Sequence, residues 1–124
     1  MDMMYQVLHY GGDTPENRGK AWDKLESPND TWLGGYHTYS VSWSLSEITF
    51  SIDGISTFSA KPRSLENPEG WYSQNSVNPS APFDAPFYII FNFAIGGPWP
   101  RDADNTTEFP NGMHVDYVRV FSDI

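Results

Sequence analysis

The stretch YHTYSVSWSLSEITFSIDGISTFSA, residues 36–60, decides the fold class. From Tyr36 to Trp43, the side chains of Tyr39, Val41 and Trp43 fall on one face of an extended chain, and Thr38, Ser40 and Ser42 on the other. That is the period-two pattern of a half-buried strand. Ser44–Glu47 is a short polar turn, after which Ile48, Phe50 and Ile52 alternate with Thr49, Ser51 and Asp53. Asp53-Gly54 supplies the left-handed pair of a tight hairpin, and Ile55–Ala60 is its return strand. Strands joined by connections this short run antiparallel.

Working outward, Met3–Tyr10 also has strand character, whereas Gly11–Gly35 is polar and is expected to be irregular. Residues 61–86 are rich in Pro, Asn, Ser and Gly and show little alternation around Trp71 and Tyr72. This reads as a long loop, and loops of that length are usually functional or disordered. Phe87–Ile95, FYIIFNFAI, is apolar except for Asn92, as expected of a central strand covered on both faces. Gly96-Gly97-Pro98-Trp99-Pro100 turns the chain, Arg101–Gly112 is a polar loop, and Met113–Phe121 closes it as a β-branched and aromatic strand. No window carries the i, i+3, i+4, i+7 apolar stripe of a helix. The expectation is one antiparallel all-β domain of five or six strands over residues 1–124.

Composition agrees and excludes several functions. Aromatic residues make up 16% of the chain, and 10 Gly and 10 Pro punctuate it, which suits a β-sandwich better than a helical bundle. With a net charge of −9 and no basic stripe, nucleic acid is not an expected partner. The longest apolar run falls far short of the roughly 18 residues of a membrane span, and Met1–Tyr10 does not look like a signal peptide. The absence of Cys excludes disulfides, thiolate metal sites and Cys nucleophiles, and fits either redox compartment.

Five blocks in order carry a resemblance: Leu8-His9-Tyr10-Gly11-Gly12; Tyr36-His37-Thr38-Tyr39 with Trp43; ITFSIDG at 48–54; PFDAPFYIIFNFAIGGPW at 82–99; and Phe109-Pro110 through Met113 to Val115-Asp116-Tyr117-Val118-Arg119-Val120. Together they resemble the C-terminal half of the family 16 glycoside hydrolases, in the laminarinase-like branch that cleaves β-1,3-glucans. The resemblance implies a jelly-roll β-sandwich of the concanavalin A type, incomplete here, with a concave cleft for a β-glucan polysaccharide or oligosaccharide. It also implies an extracellular or cell-wall-associated protein.

One departure concerns catalysis. The family's motif is Glu-x-Asp-x-x-Glu on a cleft strand shortly before the HYGG-like block, and no such pattern occurs in this sequence. Retaining hydrolysis needs a nucleophilic carboxylate and a protonated carboxylic acid about 5–5.5 Å apart across the scissile bond. Laying Asp2 on the middle Asp puts the nucleophile before Met1 and the acid at Tyr5. The other pair at this spacing, Asp102-Ala103-Asp104, reads as solvated loop charge. No catalytic residue is therefore assigned. A second departure is Ser42, where the family usually has Glu.

By the same resemblance, His9, Asn92 and Trp99 are substrate-binding candidates. His9 matches a cleft histidine, against the alternative of a polar residue at a strand end. Asn92 matches a cleft-facing amide, against a purely structural one that must find partners if buried. Trp99, in a rim turn, can stack on the C–H face of a pyranose or cap the core. His37, on the face of Tyr39, reads as a satisfied, buried or half-buried histidine. Trp71 and Tyr72 are candidates for a subsite wall on composition alone. Asp116 matches one ligand of a structural calcium, an ion that takes six to eight oxygens and whose other family ligands lie in segments this sequence lacks. No cofactor is required for the chemistry. Asn29-Asp30-Thr31 and Asn105-Thr106-Thr107 are glycosylation sequons in expected loops.

Three functions follow. The chain is the C-terminal part of an endo-β-1,3-glucan hydrolase, inactive without its catalytic strand. Alternatively, it is a non-catalytic β-glucan-binding or recognition module, or it pairs with a partner chain carrying the missing N-terminal half. The first is preferred, because half a jelly roll leaves unpaired strand edges that nothing in the sequence blunts.

Overall fold

The computed structural model describes residues 3–12, 19–26, 35–98 and 102–122. The chain divides into two compact units, Met1–Pro86 and Phe87–Ile124. The first contains β1 (Met3–Tyr10), β2 (Gly19–Glu26), β3 (Tyr39–Trp43), β4 (Ile48–Ile52) and β5 (Ile55–Ala60). β1 and β2 pair antiparallel from Met3 opposite Glu26 to Tyr10 opposite Gly19. The other three form an antiparallel sheet in the order β3-β4-β5. There is no helix among the described residues, and the fold class is all-β and antiparallel, as expected of a jelly-roll sandwich.

The second sheet follows the reading of residues 36–60. Asp53 and Gly54 adopt φ of 51° and 81°, the two left-handed positions of a type I′ turn, whose twist matches that of the strands it joins. At the other end, the Ser44 N–H donates to the Glu47 carbonyl at 2.9 Å, and the Glu47 N–H donates back to Ser44 Oγ at 3.0 Å. A bulge in β5 leaves Thr57 unpaired between Phe58, opposite Phe50, and Ser56, opposite Ser51. The extra residue brings Thr57 Oγ1 to 2.9 Å from Oε1 of the buried Gln6, linking the second sheet to β1. Replacing Gly54 by Ala puts a Cβ on a left-handed residue with open space around it, so the cost is conformational alone. We expect Gly54→Ala to lower stability by about 1–2 kcal/mol, read from the midpoint of a urea titration.

Alternation on β1 turns Gln6, Leu8 and Tyr10 inward and leaves Tyr5 and His9 exposed. Leu8 and Tyr10 pack with Ile48 of β4 and with Trp71 and Phe83, flanked by Phe50, Phe58, Ala60 and Tyr72. Two of the five central residues thus come from residues 61–86, so that segment helps to build the core although it carries no strand. β3 is different: the side chains of Tyr39, Val41 and Trp43 on its apolar face are all exposed. Its anchor is a hydrogen bond, from the Trp43 indole N–H to the Phe83 carbonyl at 2.9 Å.

Two expectations are corrected. Gly11–Gly35 is not wholly irregular, because Gly19–Glu26 forms β2. GKAWDKLE has no clean alternation, and its strand state comes from pairing with β1 rather than from its own pattern. In the second unit, neither Phe87–Ile95 nor Met113–Phe121 forms a strand. A strand exists by virtue of ladder bonds to a neighbour, and none forms among the described residues of this unit. The FYIIFNFAI run is exposed throughout, from Phe93 at 50% to Tyr88 at 84% among its large side chains.

Candidate functional site

The block Tyr10-Gly11-Gly12 ends β1 against the segment around Trp71. The Gly11 N–H donates to the Tyr72 carbonyl at 2.9 Å, and the Gln74 N–H donates to the Gly11 carbonyl at 2.8 Å, a parallel bridge that continues β1 beyond its last paired residue. Gly11 sits at φ 110°, which explains a glycine there. The Tyr10 hydroxyl donates to the Glu69 carbonyl at 3.2 Å, and its ring meets Tyr72 edge-on at 5.6 Å. The Arg63 guanidinium lies over the other partner of that pair, 3.7 Å from the centroid of Tyr72. Burial raises the Tyr10 phenol above its ordinary value, with Arg63 opposing, so this hydroxyl is a neutral hydrogen-bonding group.

Trp71 is not a subsite wall. It is 1% exposed and meets Phe83 at 5.3 Å and 85°, which makes it the centre of the core. Tyr72 is half-buried, and it and Arg63 border an open hollow with Ser73, Ser76 and Asn78. The Arg63–Tyr72 stack is not legible in the sequence, because the eight residues between them carry no periodic signal and the pair is joined only by tertiary geometry.

His9 is exposed on the outward side of β1, at the register position opposite Lys20. Asn92 and Asp116 belong to the second unit, where both are exposed. Trp99 lies outside the described residues. Asn92 is not buried, so the need for a buried amide partner does not arise. Asn105 is exposed in a turn held by Asp104, whose Oδ1 accepts from the Thr106 N–H at 2.8 Å and from its hydroxyl at 2.6 Å. Those bonds, the hydroxyl first, hold the Asp104 carboxyl below its ordinary value. Asn29 lies outside the described residues.

The resemblance implies a structural calcium at Asp116. Among the described residues no three of His, Cys, Asp or Glu come together in a way that could hold a metal ion. One exposed carboxylate supplies two oxygens at most, well short of the six to eight that calcium takes.

His37 is half-buried and satisfied, as its position suggested. Its Nδ1 lies 2.7 Å from Asp53 Oδ2, while the Thr38 N–H donates to Asp53 Oδ1 at 2.9 Å. These contacts, the imidazole first, lower the Asp53 carboxyl below its ordinary 3.8. A carboxyl lowered in the folded state stabilises the fold above its unfolded value, and that contribution is lost as pH falls through the folded value. The stability difference between the unmodified chain and Asp53→Asn should therefore shrink as pH falls below about 3.8, seen as converging melting temperatures. A difference that stays constant down to pH 2 would refute the clamp.

The pattern of the Glycosyl hydrolases family 16 matches residues 6–119. The chain is similar to glucan endo-1,3-beta-glucosidase A1 of Niallia circulans, with 37% identity over 94% of this chain and 17% of the relative. It is also similar to beta-glucanase of Rhodothermus marinus, with 33% identity over 69% of this chain and 28% of the relative. A third relative is beta-1,3-glucan-binding protein 1 of Manduca sexta, with 28% identity over 76% of this chain and 26% of the relative. The chain thus spans well under half of these relatives. The comparisons set it against their N-terminal region, not the C-terminal half that the order of the blocks suggests, so the half is not part of the assignment. No solved structure is significantly similar. With 114 of its 124 residues matched, the chain belongs to the glycosyl hydrolases of family 16.

Proposed function

We propose that this chain is the glucan-binding part of a family 16 sandwich, that it engages β-1,3-glucan, and that by itself it does not hydrolyse it. The observation that carries the second half is the absence of Glu-x-Asp-x-x-Glu anywhere in the sequence. Without two carboxylates across the glycosidic bond, neither protonation of the leaving group nor formation of the glycosyl intermediate is catalysed. The first half is supported by relatives whose names state glucan cleavage or glucan binding. By the same reasoning the setting is extracellular, where polymeric glucan is met. Among the described residues no helix is long and apolar enough to cross a membrane.

A binding and recognition module is the second reading, favoured by the similarity to a glucan-binding protein. Affinity separates the two. Association costs several kcal/mol, which stacking on one indole does little more than offset, so a remnant of a hydrolase should bind laminari-oligosaccharides no better than about millimolar. A dedicated module should reach micromolar.

The test is a reducing-sugar assay on laminarin, run beside a titration with laminari-oligosaccharides followed by tryptophan fluorescence. The expected result is no sugar release, with weak saturable binding that Trp99→Ala abolishes while the far-ultraviolet circular dichroism is unchanged. Turnover that disappears on mutating one of the chain's own Asp or Glu residues would overturn the non-catalytic reading. Loss of fold in Trp99→Ala would make Trp99 a core residue and remove it from the binding surface.

A further inference from the structure

The sequence contains one Asn-Gly pair, Asn111-Gly112, and one Asp-Gly pair, Asp53-Gly54, and the structure treats them in opposite ways. Asn111 and Gly112 are both exposed, and a Cβ built on Gly112 would meet nothing within 4 Å. The Gly112 N–H points at the side chain before it, with its nitrogen 2.8 Å from Asn111 Oδ1. Since Oδ1 is bonded to Cγ, the same nitrogen stands close to the amide carbon, and only a small rotation about the Asn111 side-chain bonds separates hydrogen bond from attack.

We propose that Asn111 is a site of spontaneous backbone-assisted deamidation in the folded chain. The Gly112 nitrogen gives up its proton to solvent base and forms a bond to Asn111 Cγ. The bond from Cγ to the side-chain nitrogen breaks, and that nitrogen leaves as ammonia after taking a proton from water. A five-membered cyclic imide remains. Water then adds to one of its two carbonyls. Opening at Cγ restores the original backbone and gives aspartate, whereas opening at the main-chain carbonyl routes the backbone through Cγ and gives isoaspartate. Either product adds a negative charge.

Glycine matters twice. It leaves the attacking nitrogen unshielded, and it allows backbone angles that ring closure requires and that a Cβ would resist. Asn67 and Asn78 precede proline and have no N–H to attack with. The Asp53-Gly54 pair is the internal control. Both Asp53 oxygens are engaged, by His37 and by the Thr38 N–H, and Gly54 is fixed in the hairpin turn at φ 81°.

The experiment incubates the purified chain at neutral and mildly alkaline pH, natively and in denaturant, and follows it by peptide mass mapping and isoaspartate-specific enzymatic methylation. The expected result is conversion at Asn111 in the native chain at a rate close to that of the denatured chain, rising with pH. Gly112→Ala should slow it at least several-fold while leaving the melting temperature unchanged, because the added Cβ has open space in the fold. Protection of Asn111 in the native chain alone would overturn the proposal, as would dominant conversion at another Asn or at Asp53, or an undiminished rate in Gly112→Ala.

Discussion

Trp71→Ala should unfold the first unit or leave it close to unfolding. Among the described residues Trp71 is the largest fully buried side chain, with 1% exposure, and it packs with residues of β1 and β4 and with Phe83. Removing a buried Trp side chain costs about 3–5 kcal/mol through lost transfer energy and the cavity left behind. Small domains have only about 5–15 kcal/mol in all. The loss should appear as a large drop in urea midpoint and a collapse of the near-ultraviolet circular dichroism. Trp71→Phe provides the discriminating comparison. The Trp71 indole N–H is buried with no hydrogen-bond partner among the described residues, so the native residue already carries a desolvation cost. Phe leaves a smaller cavity and removes that N–H, so it should cost clearly less than Ala. Equal losses for Phe and Ala would show that the N–H is satisfied and that Trp71 acts through a hydrogen bond.

Gly70→Ala should destabilise the same region for the opposite reason, excess rather than missing volume. The loop closes tightly here: the Arg63 N–H donates to the Trp71 carbonyl at 2.8 Å, and the Trp71 N–H donates to the Lys61 carbonyl at 3.1 Å. The Asn67 side chain fills the loop, its Nδ2 donating to the Pro62 carbonyl at 3.1 Å. A Cβ on Gly70 would stand 2.5 Å from the Pro62 carbonyl carbon and 2.6 Å from the Arg63 nitrogen. These are backbone atoms, so relief requires opening the loop that seats Trp71. Overpacking of this kind costs about 1–3 kcal/mol, and displacement of Trp71 adds to it. Gly112→Ala, with open space at its Cβ, should leave the unfolding midpoint where it is, and a like effect of both substitutions would remove the steric explanation.

The family was legible because it is carried by ordered blocks of residues, and such blocks survive without any knowledge of pairing. The candidate site was legible only as a set of names. His9 was found through its block, and the structure places it on the outward side of β1. Arg63 over Tyr72 was not found, because a cation and a ring that meet through loop closure leave no periodic trace. His37 was read correctly as satisfied, but its partner Asp53, 16 residues away, became visible only when the β3–β4 ladder brought Thr38 beside Asp53.

By itself the sequence determined the antiparallel hairpins of residues 36–60, since alternation, a polar turn and Asp53-Gly54 are local signals acting within a few residues. It also showed the strand character of Met3–Tyr10, whereas which face of β1 turns inward came from the structure. Tertiary structure alone decided that GKAWDKLE is a strand, that Trp71 is core rather than surface, and that FYIIFNFAI is not a strand. Each of these depends on a partner remote in the chain. A strand's hydrogen bonds run to a neighbour rather than within itself, so an apolar stretch can be wholly suited to a central strand and still not form one where no ladder is made.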